Sequence, residues 1–340
     1  MRHILTTLSA FTIVAVLSTA ITARAESFNV GFRQQTFATS DTERIDVALW
    51  YPTKASEASI PMGPHELVGA LNAAALPGKR PLILISHGTG GNNLTHHEIA
   101  AALAKAGFIA AALTHPGDNA RDRSMLGTPA FFTERPRQIS RVIDALLADG
   151  TTSQLIDRER IGVVGHSSGG FAATALLGGQ PSVANLLRHC AANYDADNLF
   201  CRASGSKERA TEMAKNAESM PTVSASPDPR IKAAILIAPV GAFFPAASLQ
   251  TVTTPVRLYV PGRDEVLNPR FHGDHLATSL KSVSVVRINE GGHFMPVSKF
   301  NMKAEFQGTD VNGDPSGFDR STFIDAMKTE MPKWFNETLR

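Results

Sequence analysis

Arg160-Ile161-Gly162-Val163-Val164-Gly165-His166-Ser167-Ser168-Gly169-Gly170 runs from an apolar stretch through a turn of small residues into an alanine-rich stretch that extends to Leu177. The apolar part predicts a strand over Arg160 to Val164, and the alanine-rich part a helix over Ser168 to Leu177. Between them, Gly165-His166-Ser167-Ser168-Gly169 has the spacing G-x-S-x-G. The spacing alone is a weak signal, but its place between a strand and a helix is specific. In such a turn the serine is strained and its hydroxyl stands clear of the sheet. The flanking glycines are required because side chains there would collide. Ser167 is therefore the candidate nucleophile, and Gly170 extends the demand for small residues into helix–strand packing.

The surrounding pattern repeats this strand-then-helix order. Pro81 to Ser86 (PLILIS) is continuously apolar, as expected of a strand buried on both faces. Phe108 to Leu113, Ile231 to Ala238, Val256 to Val260 and Val283 to Ile288 read the same way. Helices are expected over Thr95 to Lys105, Arg135 to Ala148, Pro269 to Leu280 and Phe318 to Leu339. Strands alternating with helices imply an α/β fold with a mostly parallel sheet covered on both faces. At the start, Phe28 to Phe37 and Ile45 to Tyr51 alternate apolar and polar residues, as half-exposed antiparallel strands do. Pro52 to Lys79 is expected to be a loop holding a short helix around Glu66 to Asn72. Residues 180 to 229 interrupt the rhythm and are too long for a simple connection. That stretch holds both cysteines and a charged helical piece, Lys207 to Glu218, and is expected to form a lid over the site.

The other members of a serine-based site can be sought at the remaining strand ends. His87-Gly88-Thr89-Gly90-Gly91 follows PLILIS, where a loop can aim a backbone N–H at a developing oxyanion. The backbone N–H groups of Thr89 and Ser168 are the candidate donors. Past Val260 come Arg263-Asp264-Glu265, and past Ile288 comes Gly291-Gly292-His293. In folds that carry a G-x-S-x-G serine between strand and helix the chain order is serine, acid, histidine, which selects His293 as base and excludes His87. Asp264 is preferred to Glu265 as the acid that orients the imidazole. His272 and His275 read as surface residues of the helix that follows. His96-His97-Glu98 is too contiguous to converge on one ion, and Asp310-Val311-Asn312-Gly313-Asp314 lacks the spacing of a calcium loop. No metal and no cofactor is expected. His115 and Asp118 either line the pocket or close a turn.

Composition bounds the setting. The first 25 residues show a short basic start, an uncharged apolar run over Leu8 to Leu17, and Ala23-Arg24-Ala25 before Glu26. These are the parts of a cleavable signal peptide cut after Ala25, and the run is too short to span a bilayer well. No later stretch approaches the length of a span, so no stable membrane anchor is expected. The chain carries 33 basic and 31 acidic residues. Removing Arg2 and Arg24 with the leader leaves a neutral protein, which offers no electrostatic case for nucleic acid. Cys190 and Cys201, eleven positions apart in a chain bound for the periplasm or the exterior, are expected to form a local disulfide.

Taken together, SHGTGG, THPGDN (Thr114 to Asn119), ERPRQISRVIDALL, RIGVVGHSSGG, DPRIKAAILIAPVG, GRDEV and EGGHF resemble the predicted dienelactone hydrolase group of the α/β-hydrolase superfamily. That group lies near the platelet-activating-factor acetylhydrolase-like esterases. The resemblance covers roughly residues 45 to 300. It implies an α/β-hydrolase fold and hydrolysis of a small-molecule carboxylic ester, with Ser167, Asp264 and His293 as triad and Thr89 and Ser168 as oxyanion donors. Dienelactone hydrolases proper carry cysteine where this chain has Ser167. The same triad would serve acyl transfer to another acceptor or amide cleavage, and a non-catalytic binding protein on this fold is the rival of a different kind.

Overall fold

The computed structural model describes residues 27–220 and 222–340; the expected leader, residues 1–25, lies outside them. In chain order the elements are β1 (Asn29–Ala38), β2 (Arg44–Thr53), β3 (Ala58–Met62), β4 (His65–Leu71), β5 (Arg80–Ser86), α1 (His97–Lys105), β6 (Ile109–Leu113), α2 (Ala130–Ala148), β7 (Ile156–His166) and α3 (Ser168–Leu176). There follow α4 (Val183–Asn193), α5 (Asn198–Cys201), α6 (Lys207–Lys215), β8 (Ile231–Ile237), α7 (Ala246–Leu249), β9 (Val256–Pro261), α8 (Gly273–Ser279), β10 (Val283–Ile288), the small hairpin β11 (Glu305–Phe306) and β12 (Thr309–Asp310), and α9 (Arg320–Thr338).

Ten strands form one sheet in the order β10-β9-β8-β7-β5-β6-β2-β1-β4-β3. From β10 to β6 every neighbour is parallel, whereas β2 runs antiparallel to β6 and β1 antiparallel to β2. The apolar run of β5 shows why the parallel block needs two covers. Leu82 and Leu84 pack with Ile139, Ile143 and Phe171 of α2 and α3, while Ile83 and Ile85 pack with Ile99, Leu103 and Phe335 of α1 and α9. Successive side chains of a strand point to opposite faces, so a strand apolar at every position requires a core on each side.

The chain leaves β5 for β6 on one side and then returns across β5 to β7 on the other. Loops that diverge at such a reversal open a crevice at the carboxyl ends of the strands. The loop after β5 and the turn after β7 border that crevice.

Two expectations for local structure need correcting or refining. Residues 52–79 do not hold a helix around Glu66 to Asn72. They form the β3–β4 hairpin, turned at Gly63-Pro64 with Gly63 at φ +60°. The alternation His65-Glu66-Leu67-Val68, buried and exposed in turn, has the period of a strand. Residues 180–229 do break the strand–helix alternation, forming α4, α5 and α6 between α3 and β8. Cys190 of α4 and Cys201 of α5 are joined by a disulfide, with Cα atoms 5.3 Å apart. Among the described residues no helix is long and apolar enough to cross a membrane.

Candidate active site

Ser167 is the first residue after β7, at φ +56° and ψ −118°. A side chain other than glycine is strained there, by an amount of order 1–3 kcal/mol. Its neighbours hold it in place: the Ser167 N–H donates to Ile237 O at 3.1 Å, and the Val240 N–H donates to Ser167 O at 3.1 Å. The glycines make the turn possible. A Cβ on Gly165 would lie 2.4 Å from Gly169 O, and one on Gly169 would lie 2.0 Å from Ser86 O.

The three residues expected from the sequence meet at the sheet edge. His293 Nε2 is 3.0 Å from Ser167 Oγ, and His293 Nδ1 is 2.8 Å from Asp264 Oδ2. Asp264 Oδ1 accepts from the N–H groups of Val266 (2.9 Å) and Leu267 (2.7 Å), which fixes the carboxylate. A carboxylate only accepts, so Nδ1 of the imidazole donates to it and the Nε2 lone pair faces the serine hydroxyl. Glu265, one position on, is exposed. His166, which the sequence did not single out, lies beneath this arrangement. Its Nε2–H donates to the backbone oxygen of His293 at 3.0 Å and so holds the loop after β10.

The loop after β5 passes over the start of α3. Neither the Thr89 nor the Ser168 backbone N–H has an acceptor among the described residues. The Thr89 hydroxyl proton is shared between Ser168 Oγ at 3.1 Å and Asp118 Oδ2 at 3.3 Å. Asp118 Oδ1 accepts from the Gly90 N–H at 3.2 Å. Arg135 donates to Asp118 Oδ2 at 2.6 Å and also to His87 O; both charged side chains are 0% exposed. Of the two readings of His115 and Asp118, the turn is the one present: the Asp118 N–H donates to His115 O at 3.2 Å, and His115 has further partners. The His115 ring lies between Ser86 Oγ and Gln138 Oε1, each 2.8 Å away, while the His115 backbone N–H donates to His87 Nε2 at 3.1 Å. Asp118 and His115 are thus buried braces of the glycine-rich loop.

His272 is a second correction. It is not a surface residue but buried ahead of α8, its Nδ1 accepting from Gly241 N–H at 3.1 Å. That leaves Nε2 protonated to donate to Asp197 Oδ2 at 2.8 Å, and His189 Nε2 approaches the same oxygen at 2.7 Å. His189, Asp197 and His272 have the donor types of a metal site, with ligand atoms within 4.8 Å of one another. Here they satisfy one another, and Asp197 Oδ1 takes the Asn268 N–H at 3.1 Å, tying the α4–α5 segment to the chain beside Asp264. His96, His97 and Glu98 diverge: His96 Nδ1 bonds Pro296 O, His97 stacks edge-on with His65, and Glu98 pairs with Lys328.

A cavity of about 670 Å³ opens above Ser167, His293 and Thr89. Phe131, Phe132 and Phe243 line it from the body of the protein, and Leu186, Leu187 and Phe200 from the inserted helices. Such a volume encloses most of a drug-sized ligand. The charged side chains on its lining, Arg123, Lys303 and Glu305, are all exposed.

A serine on a strained turn, a histidine and a carboxylate at successive strand ends of a mostly parallel sheet define a class. The family model for the alpha/beta hydrolase family matches residues 82–299, well over half of the chain, and the protein belongs to that family. Among solved structures, the chain is similar to a ferulic acid esterase from Streptomyces cinnamoneus, at 20% identity and a TM-score of 0.61, over 94% of this chain and 92% of that one. At that identity the likeness is one of fold. No curated protein matches the sequence.

Two measurements check the site's surroundings. Burial lowers the His96 and His97 imidazoles from the ordinary 6.5 to about 4. They are neutral in the fold and protonated in the unfolded chain near pH 5, so their contribution is complete above 6.5 and is lost as pH falls towards 4. At about pH 5 each costs about 2 kcal/mol. Ordinary carboxylates titrate mostly below pH 5, so urea midpoints should fall clearly between pH 7 and 5 on account of the imidazoles; a midpoint that stays put would contradict the neutral, buried imidazoles. Asp118→Ala strands the Arg135 charge and should cost about 3–5 kcal/mol, whereas Asp118→Ala with Arg135→Met should cost less than the two single changes added together. Additive costs would show that the pair is not coupled.

Proposed function

We propose that the protein is an exported serine hydrolase that cleaves carboxylic esters through an acyl-enzyme, with Ser167 as nucleophile, His293 as base and Asp264 as its orienting acid. The observation that carries this is the unbroken chain from Ser167 Oγ through His293 to Asp264, at 3.0 and 2.8 Å, next to two backbone N–H groups without acceptors among the described residues. As Ser167 Oγ attacks the ester carbonyl carbon, Nε2 of His293 takes its proton and Asp264 supports the imidazolium. The carbonyl oxygen gains negative charge, for which the N–H groups of Thr89 and Ser168 are fixed donors, each worth roughly 3 kcal/mol of barrier. His293 then returns the proton to the leaving alkoxide oxygen, and water repeats the sequence to release the acid and restore Ser167.

Export is supported by the sequence of residues 1–25, and the disulfide between Cys190 and Cys201 suits an oxidising compartment. The periplasm or the exterior is the proposed location. Within the family, the quoted motifs favour a place near the dienelactone hydrolase-like and platelet-activating-factor acetylhydrolase-like groups, with serine chemistry in place of cysteine.

A fluorophosphonate probe should label wild-type protein at Ser167 and fail to label Ser167→Ala. His293→Ala should lower kcat by several powers of ten with KM little changed, because the imidazole acts mainly in the transition state. Asp264→Asn should cost about a thousandfold in kcat, and Glu265→Gln little. Near-normal turnover in His293→Ala, or a larger loss in Glu265→Gln than in Asp264→Asn, would overturn the assignment.

A further inference from the structure

We infer that the acyl group of the substrate is bulky, apolar and uncharged, and that the inserted helices α4 and α5, rather than the sheet, select it. This rests on the ester-hydrolase reading above and narrows it to a substrate class.

The chemistry assigns the two ends of the cavity. His293 must hand its proton to the leaving oxygen, so the alcohol lies on the His293 side, where Phe294 and Phe300 line the cavity. The carbonyl oxygen is held at Thr89 and Ser168. The remaining substituent, the acyl chain, points away from His293. The part of the lining that does not come from the His293 loop, to which this places the acyl chain, is a wall of different origin. Phe132, near the start of α2, comes from the opposite side of the parallel block to β10, and Phe243 follows β8. The Phe243 ring packs 4.8 Å from Phe132, 5.1 Å from Phe171 of α3 and 5.4 Å from Phe200 of α5. Leu186 of α4 completes this wall over the cavity.

Size and charge then restrict the ligand. An acetyl group would leave most of the 670 Å³ filled with water against aromatic rings. The wall formed by Phe132, Phe243, Phe200 and Leu186 is apolar, and Arg123, Lys303 and Glu305 are exposed, so an ionic acyl group buried against that wall would have no partner. The cap is also held in position. The Cys190–Cys201 disulfide joins α4 to α5, and Asp197, bonded to His272 and to the Asn268 N–H, fastens the segment between them beside Asp264. Leu186 and Phe200 are thus presented as fixed surfaces, which is what selection by shape requires.

The test is the hydrolysis of p-nitrophenyl esters from acetate through hexanoate and octanoate to decanoate, with fluorophosphonate labelling of the same full-length preparations. The expected result is a kcat/KM at least about tenfold higher on octanoate than on acetate, since each methylene bound in an apolar pocket adds to transition-state binding. Leu186→Trp should shrink the octanoate-to-acetate ratio by about tenfold, and the milder Leu186→Phe should shrink it in the same direction if the larger ring impairs folding. A labelled enzyme that prefers acetate, or variants that lower every ester equally, would overturn the acyl-wall assignment while leaving the serine hydrolase reading in place. An unlabelled wild-type protein would overturn both.

Discussion

The closeness with which the turn at Ser167 approaches the end of β5 is the constraint on which the site depends. A single Cβ on Gly169 would lie 2.0 Å from Ser86 O, so nothing larger than glycine permits the contact. The approach sets the Ser168 N–H beside Thr89 and leaves Ser167 at positive φ with its hydroxyl facing His293. The strain is local, and it is offset by the packing of α3, whose residues are buried throughout, and by the backbone bonds to Ile237 and Val240. The parallel sheet supplies the rest of the geometry, because β7, β9 and β10 end at the same edge and each delivers one member of the serine–carboxylate–histidine set.

A second layer fixes the loop after β5. A glycine-rich loop is flexible by composition, and here a buried polar network of Asp118, Arg135, His115 and Gln138 grips it from below. A buried ion pair is weak evidence for stability, because desolvation offsets much of the attraction. Its value lies in geometry: Asp118 uses both oxygens on the loop, one on the Gly90 N–H and one near Thr89 Oγ, so the loop has one arrangement. His166 plays the same part for the loop after β10, through the backbone oxygen of His293.

Much of this was legible in the sequence because it depends on local pattern. Continuous apolar runs such as PLILIS can only be strands with a core on both faces, and the small residues around Ser167 admit only a tight turn. Asp264 and His293 were singled out because both stand just past a strand end, and the structure brings them to Ser167. The hairpin over residues 58–71 was missed because its alternation is short and lies in a stretch rich in Ala, Pro and Gly, where loop composition outweighed the period. His272 was misjudged as a surface residue, and the bracing role of His115 and Asp118 went unseen, for another reason. Each is polar, and its burial follows from partners 75, 23 and 17 positions away. No local pattern carries that information. The motif T-H-P-G-D-N did mark the place, since a histidine and an aspartate following a buried strand at the active edge invite the question of what they hold.

The central claim is that Ser167, its base and the two free N–H groups form one preorganised unit. The most direct measurement is a crystal structure of the enzyme inactivated by an alkyl phosphonate, whose tetrahedral phosphorus imitates the attacked ester carbon. The account predicts phosphorus bonded to Ser167 Oγ and a phosphoryl oxygen about 2.7–3.1 Å from both the Thr89 and Ser168 nitrogens. A phosphoryl oxygen turned away from both N–H groups, or an adduct on any residue other than Ser167, would contradict it.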